Sequence, residues 1–325
     1  MGLQAGRRIL RFWVGCIVEN TRRKRMYKNI EGMMALAEAR GCSLGEIILL
    51  NETKHTEKSR EAVLAEMEKR MAVMRDSAEK AINRPELTGG SLISGMASAQ
   101  AIYGRRRDSL CGSFVNLVMA RALSGSEVNA SMGRICAMPT AGACGIVPAV
   151  LLSAAQDRGI DHQALLMGFI TAAGVGAVIT ENATVSGAEG GCQAECGAAA
   201  AMAAAGAAEM LGGKPRVAGH ACAFALMNCM GLVCDPVAGL VQIPCAQRNA
   251  SQAVNALLSA DLALAGMESV IPPDQVIEAM YRTGRLLPPQ LKETALGGIA
   301  ATEAARGIAE KVLSQSWAGD SCFQP

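Results

Sequence analysis

The sequence predicts a mainly α-helical protein. Apolar residues recur at helical spacing in several long stretches, and no segment alternates apolar with polar residues as a half-buried strand does. Half of the residues are hydrophobic but only 3% are aromatic, so Ala, Gly, Met, Leu and Val supply most of the apolar content. Small side chains of this kind allow helices to pack closely against one another.

The first helices can be placed from their capping residues. Asn29 can cap a helix that Gly41 ends, and Ser43 has the spacing of a capping box at the start of a second helix ending near residue 50. A long amphipathic helix over about 57–82 carries a stripe of methionines, which is typical of a core-facing surface. We therefore expect residues 26–85 to form an N-terminal helical segment packed on the core.

The composition changes after Pro85, where charged residues become fewer and glycine becomes more frequent. Residues 88–95 form a glycine loop, and residues 124–149, dense in Gly, Pro and small polar side chains, are predicted to form a long irregular loop. Amides and short hydroxyls in such a loop can close on a small ligand, although an ordinary loop with tight turns has the same composition. Further helices are expected at about 113–123, 161–180, 194–211, 219–232 and 249–265.

The two ends of the chain are expected to differ from this helical body. Residues 1–25 are basic and lack a clean signal-peptide cleavage site, so they are interpreted as an N-terminal extension that is disordered, or untranslated if Met26 is the start. Residues 313–325 are predicted to form a loose C-terminal tail. The apolar stretch 164–180 is slightly short for a membrane span and is interpreted as part of a buried core helix.

Charge and cysteine content exclude some classes of function and favour others. The formal net charge is +2 and no basic stretch has interleaved aromatic residues, so neither nucleic acid nor a membrane is an expected partner. Twelve cysteines without a signal peptide indicate a reducing, cytoplasmic location and favour metal binding or catalysis over disulfides. The glycine pattern of a P-loop is absent, and Lys214 is in a turn-like context, so a pyridoxal phosphate Schiff base is not expected.

Three cysteines have a distinct sequence context. Cys192, Cys234 and Cys245 each lie at a predicted helix edge or in a loop broken by Gly and Pro, where free amides can bond sulfur. Their wide separation along the chain is a weak signal for a cluster, because ferredoxin-type ligands are much closer in sequence. Zinc is poorly indicated, since the three histidines are far apart. The residues alone leave an iron–sulfur, a zinc and a packing role open.

The sequence resembles the iron–sulfur-dependent L-serine dehydratases, specifically their α chain or catalytic domain. Four stretches carry the resemblance: NASMGRICAMPTAGACGIVPA, SGAEGGCQAECG, CDPVAGLVQIPCAQRNA and ALGGIAATEAARG. It extends from about Met26 to Lys311 and implies a helical iron–sulfur catalytic domain over 86–312, with Gly- and Pro-rich active-site loops. It also implies a 4Fe–4S cluster held by Cys192, Cys234 and Cys245, and no pyridoxal phosphate.

The resemblance implies elimination of water from L-serine to give, after hydrolysis, pyruvate and ammonia. Three cysteine ligands would leave one iron open as a Lewis acid for the substrate hydroxyl. The substrate must then be held with its Cα proton facing a base. The residues that we predict to bind the substrate are Asn129, Ser131, Thr140, Gly142, Asn182, Ser186 and Arg248.

The catalytic base is not identified by the sequence. The family's second domain carries a Ser-His-Thr motif that is absent here, so we expect a separate β chain to supply the base within a homo- or hetero-oligomer. The chain also lacks the lysine that commonly follows the glycine pair of TGGSLISG, and Cys322 is a candidate cap for the open iron. The alternatives are a related lyase acting on threonine or cysteine, and a non-catalytic scaffold whose cysteines bind zinc or nothing.

Overall fold

A computed structural model describes residues 25–318 of the chain. Over that range it is 71% helical, with thirteen α-helices and no strand, which confirms the predicted mainly α fold. The helices are α1 (Ile30–Arg40), α2 (Leu44–Thr56), α3 (Arg60–Asn83), α4 (Met96–Gly104), α5 (Gly112–Ala130), α6 (Ile146–Arg158), α7 (His162–Asn182), α8 (Gly187–Gly190), α9 (Cys192–Met210), α10 (Pro215–Asn228), α11 (Cys245–Leu264), α12 (Pro273–Leu286) and α13 (Glu303–Ala318).

Helix α9 lies at the centre and packs against α6, α7, α10 and α11. It consists mostly of alanine, and nearly all of its residues are buried. Its approach to α7 depends on glycine, because a Cβ atom on Gly206 would lie only 2.5 Å from the carbonyl oxygen of Gly168. A helix with small residues on every face can pack closely against four neighbours. That packing fixes the positions of both of its ends.

Helix α7 was expected to be a core helix, and most of its residues are buried against α2, α9 and neighbouring helices. By length and composition alone it is the one helix of the described residues that could cross a membrane. Asp161 caps it, accepting a hydrogen bond from the amide of Ala164 at 2.9 Å. A mostly buried helix of this kind also occurs in the cores of soluble proteins.

The N-terminal helices follow their predicted capping residues. Asn29 accepts a hydrogen bond from the amide of Gly32, Gly41 has the left-handed conformation expected of a helix stop, and Ser43 accepts from the amide of Glu46. The methionine stripe of α3 is buried, as its spacing predicts. Side chains from α1, α2 and α3 belong to the same hydrophobic core as those of α6, α7 and α9.

The prediction of a loop over 124–149 is wrong at both ends. Helix α5 continues to Ala130 and α6 begins at Ile146, so the irregular segment covers only 131–145. The reason is tertiary, because the polar residues of this stretch find buried partners across the helix face. The Ser124 hydroxyl donates to the carbonyl oxygen of Ser77 at 2.7 Å, and the buried Glu127 carboxylate accepts from the amide of Glu86 at 2.7 Å.

Several helix boundaries also differ from the sequence prediction. Helix α2 continues to Thr56 instead of ending near residue 50, and α10 begins at Pro215, where a proline suits the first helical turn. Helix α13 extends to Ala318, so the tail predicted as loose from residue 313 is helical over 313–318. The predictions for residues 1–24 and for Cys322 concern parts of the chain outside the described residues.

Candidate functional site

The three singled-out cysteines lie on three segments that meet at one end of α9. Cys192 is the first residue of α9, Cys245 is the first residue of α11, and Cys234 lies in the connection between α10 and α11. Cys192 and Cys234 are buried, and Cys245 is partly exposed. Two helix N-termini, which carry partial positive charge, therefore lie in the region of these thiols and favour negative charge there.

The thiols are close enough to influence one another. Burial raises the pKa of Cys245 to about 12, with a further contribution from Cys192. Burial also raises the pKa of Cys234, and Glu195 and Cys192 raise it further. Cys234 and Cys245 therefore resist ionisation, and a bound cationic centre would favour their thiolate forms.

Backbone hydrogen bonds fix the segment that carries Cys234. Its amide donates to the carbonyl oxygen of Leu291 at 2.9 Å, and its own carbonyl oxygen accepts from the amide of Glu293 at 2.7 Å. On the other side, the amide of Gln193 donates to the carbonyl oxygen of Leu232 at 2.9 Å. The loop is thus held between the start of α9 and the segment that follows α12.

Asn249 connects the glycine-rich loop 131–145 to α11. Its amide nitrogen donates to the carbonyl oxygens of Gly142 at 2.7 Å and of Cys245 at 2.9 Å. Its side-chain oxygen accepts from the amide of Gly145 at 3.1 Å. Every polar atom of this fully buried side chain is used, so the loop and the first turn of α11 are fixed relative to each other.

Arg248 and Asp235 form a buried ion pair beside Cys192. The guanidinium lies 2.8 Å from the Asp235 carboxylate and donates to the carbonyl oxygen of Val233 at 2.7 Å. The other carboxylate oxygen of Asp235 accepts from the amide of Ile299 at 2.7 Å. Burial lowers the pKa of Arg248, but Cys192 and Asp235 raise it by more, so the arginine is a fixed cation at the edge of the thiol group.

Glu195 is a site residue that the sequence reasoning missed. It lies one turn along α9 from Cys192, and the hydroxyl of Thr140 donates to its Oε1 at 2.6 Å. Burial raises the pKa of Glu195 to about 7, although the hydrogen bond from Thr140 opposes the shift. The signal was available, because Glu195 and Glu209 are the only charged residues in the alanine-rich sequence of α9.

Sequence comparisons decide the family. The profile described as "Serine dehydratase alpha chain" matches residues 39–300. The chain belongs to the serine dehydratase alpha chain family. It is 43% identical over 290 residues to "L-serine dehydratase, alpha chain" of Peptoniphilus asaccharolyticus, covering 89% of this chain and 99% of that protein. It is 40% identical over 292 residues to "Probable L-serine dehydratase, alpha chain" of Bacillus subtilis (strain 168), covering 89% of this chain and 96% of that protein.

Some members of the family are longer than this chain. An L-serine dehydratase of Escherichia coli (strain K12) is 37% identical over 279 residues, which are 82% of this chain but only 60% of that protein. A protein named "L-serine dehydratase" of Mycobacterium tuberculosis (strain CDC 1551 / Oshkosh) is 39% identical over 288 residues, which are 61% of its length. About two fifths of each of these relatives therefore lies outside the part that this chain matches.

Four of the predicted substrate-binding residues lie near the thiols or the Glu195 carboxylate. Thr140 bonds Glu195 directly, and a Cβ atom on Gly142 would lie 2.6 Å from Glu195 Oε1. Ser186 immediately precedes α8, whose first residue, Gly187, faces Cys234. Arg248 is the fourth, through its pairing beside Cys192.

Three of the predicted residues make contacts elsewhere. Asn129 and Ser131 lie at the end of α5, and the Ser131 hydroxyl donates to the carbonyl oxygen of Val128 at 2.9 Å. Asn182 ends α7 and donates to the carbonyl oxygen of Lys28 at 2.9 Å. These contacts hold backbone segments together, and a substrate contact for each of the three stays a prediction.

Three cysteine thiols are the type of donor set that holds an iron–sulfur cluster. Among the described residues, no three His, Cys, Asp or Glu side chains are arranged to hold one ion. Cysteines that bind a cubane each take a different iron, so their sulfurs lie farther apart than the ligands of one zinc ion. A Cβ atom on Gly187 would lie 3.0 Å from the Sγ of Cys234, so any side chain at this position would crowd that sulfur. The chemistry and surroundings of the three thiols fit such a group.

Proposed function

We propose that this chain is the α chain of an L-serine dehydratase that converts L-serine to pyruvate and ammonia. The observation that carries the proposal is the convergence of Cys192, Cys234 and Cys245 at the start of α9, in a family whose curated members are named for this reaction. Elimination removes the Cα proton and the β-hydroxyl, which together make one water. The aminoacrylate that is left tautomerises to an imine, and hydrolysis of the imine consumes one water and releases ammonia.

We assign Cys192, Cys234 and Cys245 as the ligands of a 4Fe–4S cluster. Held by these three thiolates, such a cluster would have one iron without a protein ligand and would supply Lewis-acid chemistry for departure of the hydroxyl. The chain's own contribution is electrostatic and positional. The amide ends of α9 and α11 favour the thiolate charges, and Arg248, held by Asp235 and Val233, adds a fixed positive charge beside Cys192.

The loop 131–145 closes one side of the site. Thr140 accepts a hydrogen bond from the amide of Ala143 at 3.2 Å while it donates to Glu195, so the hydroxyl is fixed in orientation. Asn249 fixes the same loop through Gly142. A loop held at these points keeps its remaining amides and hydroxyls preorganised for a small polar substrate. The elimination requires such preorganisation because the substrate must be held with its Cα–H bond in one direction.

The general base is proposed to come from a separate β chain. The three histidines of this chain lie away from the thiols. His162 pairs with Glu68 at 2.9 Å, His220 accepts from the amide of Ser269 at 3.1 Å, and His55 lines a different cavity beside α2 and α7. The longer family members, of which this chain covers only about three fifths, support the existence of a second functional part in the complete enzyme.

The test is anaerobic purification of the chain, alone and co-expressed with its β chain. Iron and sulfide contents and the visible spectrum are measured before and after L-serine is added, and pyruvate formation is followed. We expect a brown protein whose spectrum changes with L-serine, and turnover that requires the β chain. A protein that stays colourless after reconstitution with iron and sulfide would refute the cluster assignment. Full turnover by the chain alone would refute the role of the β chain.

Substrate preference is tested on the same preparation. L-serine, L-threonine and L-cysteine differ by one methyl group or one heteroatom, and a hydrophobic pocket separates such substrates only about 10–200-fold. We expect kcat/KM to be highest for L-serine. A higher kcat/KM for L-threonine or L-cysteine would assign the chain to a related lyase instead.

A further inference from the structure

Glu195 is a half-buried carboxyl group that has no cationic partner among the described residues. Among the described residues, the hydroxyl of Thr140 is the one hydrogen-bond donor to its carboxylate, and no Lys, Arg or His forms an ion pair with it. Arg248, the fixed cation beside Cys192, is already paired with Asp235. An ionised carboxylate in such surroundings is costly unless a positive charge reaches it, so this position attracts a cation from outside the protein.

The free side of this carboxylate faces a ligand cysteine. A Cβ atom built on Gly187 would lie 3.1 Å from Glu195 Oε2 and 3.0 Å from Cys234 Sγ. The two atoms therefore lie against the same side of Gly187. On its other side, Oε1 is held by Thr140 and packed against Gly142. Among the described residues, Thr140 bonds one carboxylate oxygen, and no donor bonds the other, which lies on the side of Cys234.

We propose that Glu195 binds the α-ammonium group of the substrate, with Thr140 as the positioning residue that orients its carboxylate. The inference rests on the proposed function, because L-serine carries one cationic group, and that group alone complements a carboxylate. The substrate carboxylate would be repelled from Glu195 and from the thiolates, and would be attracted toward the side of Arg248. Opposite charges at the two ends of the site would fix the direction in which the Cα–H bond points.

A second glutamate on the same helix provides a matched control. Glu209 is also largely buried, but it accepts hydrogen bonds from the amide of Gly45 at 3.0 and 3.2 Å and caps α2. It lies at the opposite end of α9 from Cys192. Glu195→Gln and Glu209→Gln therefore make the same chemical change in the same helix, and only the first should affect an ammonium group.

The experiment is a pair of equilibrium titrations of the anaerobic, cluster-loaded protein, followed by the visible spectrum. One ligand is L-serine, and the other is L-glycerate, in which a hydroxyl replaces the ammonium. Glu195→Gln should weaken L-serine binding about 10–100-fold, the range of a charge-assisted hydrogen bond, and change L-glycerate binding less than about threefold. Glu209→Gln should leave both dissociation constants within about threefold of wild type. Iron content and thermal unfolding show that each variant is loaded and folded.

The outcomes separate the inference from the proposed function. Unchanged L-serine binding by Glu195→Gln would overturn the inference, and so would an equal loss for both ligands, which indicates a merely structural residue. Pyruvate formation by the wild-type complex with its β chain establishes the proposed function independently. A wild-type complex that makes no pyruvate would overturn that function and the inference with it. Thr140→Ser should retain tighter L-serine binding than Thr140→Val, because only the serine keeps the donor.

Discussion

The two ends of helix α9 bury the same chemical group in different ways. At the C-terminal end, both carboxylate oxygens of Glu209 accept a bifurcated hydrogen bond from the amide of Gly45, at the start of α2. At the N-terminal end, Glu195 receives one hydrogen bond from Thr140 and lies beside thiols that do not neutralise it. Burial raises the pKa of both carboxyls. The fold therefore supplies the partner of Glu209, whereas a further partner of Glu195 is proposed to come from the substrate.

The largest effect is expected when the N-terminal end of α9 loses Cys192, which is proposed to hold the cluster. Cys192→Ser should abolish cluster retention and lower serine turnover by more than about 100-fold, because even an outer-shell change at a metal site costs 10–100-fold. Iron and sulfide assays and a pyruvate assay make the measurement. Cys222→Ala is the control, since Cys222 is a buried packing residue of α10. A Cys192→Ser protein that keeps its full iron content would contradict the assignment of this ligand.

A second prediction concerns the pH dependence of stability in the cluster-free chain. The pKa of Glu195 is about 7 when folded, against an ordinary value of 4.5, so the folded state holds this proton longer than the unfolded state. The free energy of unfolding should fall as pH rises from 4.5 to 7, by about 3 kcal/mol in total, and level off above 7. Urea denaturation at pH 5 and pH 8 measures it, and Glu195→Gln should remove this part of the fall. Identical pH dependence in wild type and variant would show that Glu195 is not the group responsible.

The smallest effect is expected at Glu209, at the C-terminal end of α9. Glu209→Gln keeps an acceptor for the Gly45 amide but removes the charge, and should lower the free energy of unfolding by about 1 kcal/mol. Thermal and urea denaturation give the value, and serine turnover should not change. An equal loss of serine turnover in Glu209→Gln and Glu195→Gln would contradict the proposed difference between the two ends of α9.

The sequence predicts best those features that depend on neighbouring residues. The caps at Asn29, Gly41 and Ser43 are local hydrogen-bond and dihedral patterns, and the structure reproduces them. The methionine stripe of α3 is a periodic pattern and is buried as expected. These features need no knowledge of what lies across the helix.

The errors and omissions come from partners that are distant in sequence. By residue type, Ser124 and Glu127 are typical of a loop. Their hydrogen-bond partners lie on α3 and on the segment after it, which the local sequence does not indicate. Glu195 was overlooked because its meaning depends on Thr140, which lies 55 positions away in sequence. The ion pair between Arg248 and Asp235 was not predicted, because nothing local in the sequence indicates it, and a substrate contact for Arg248 stays a prediction.

The most direct test of the account is a Mössbauer spectrum of the chain loaded with ⁵⁷Fe, recorded with and without L-serine. The account predicts a 4Fe–4S cluster in which one iron site differs from the other three, and in which L-serine shifts the signal of that site alone. Four equivalent irons that do not respond to L-serine, or the absence of a bound cluster, would contradict the claim that Cys192, Cys234 and Cys245 hold a cluster with one iron open to substrate.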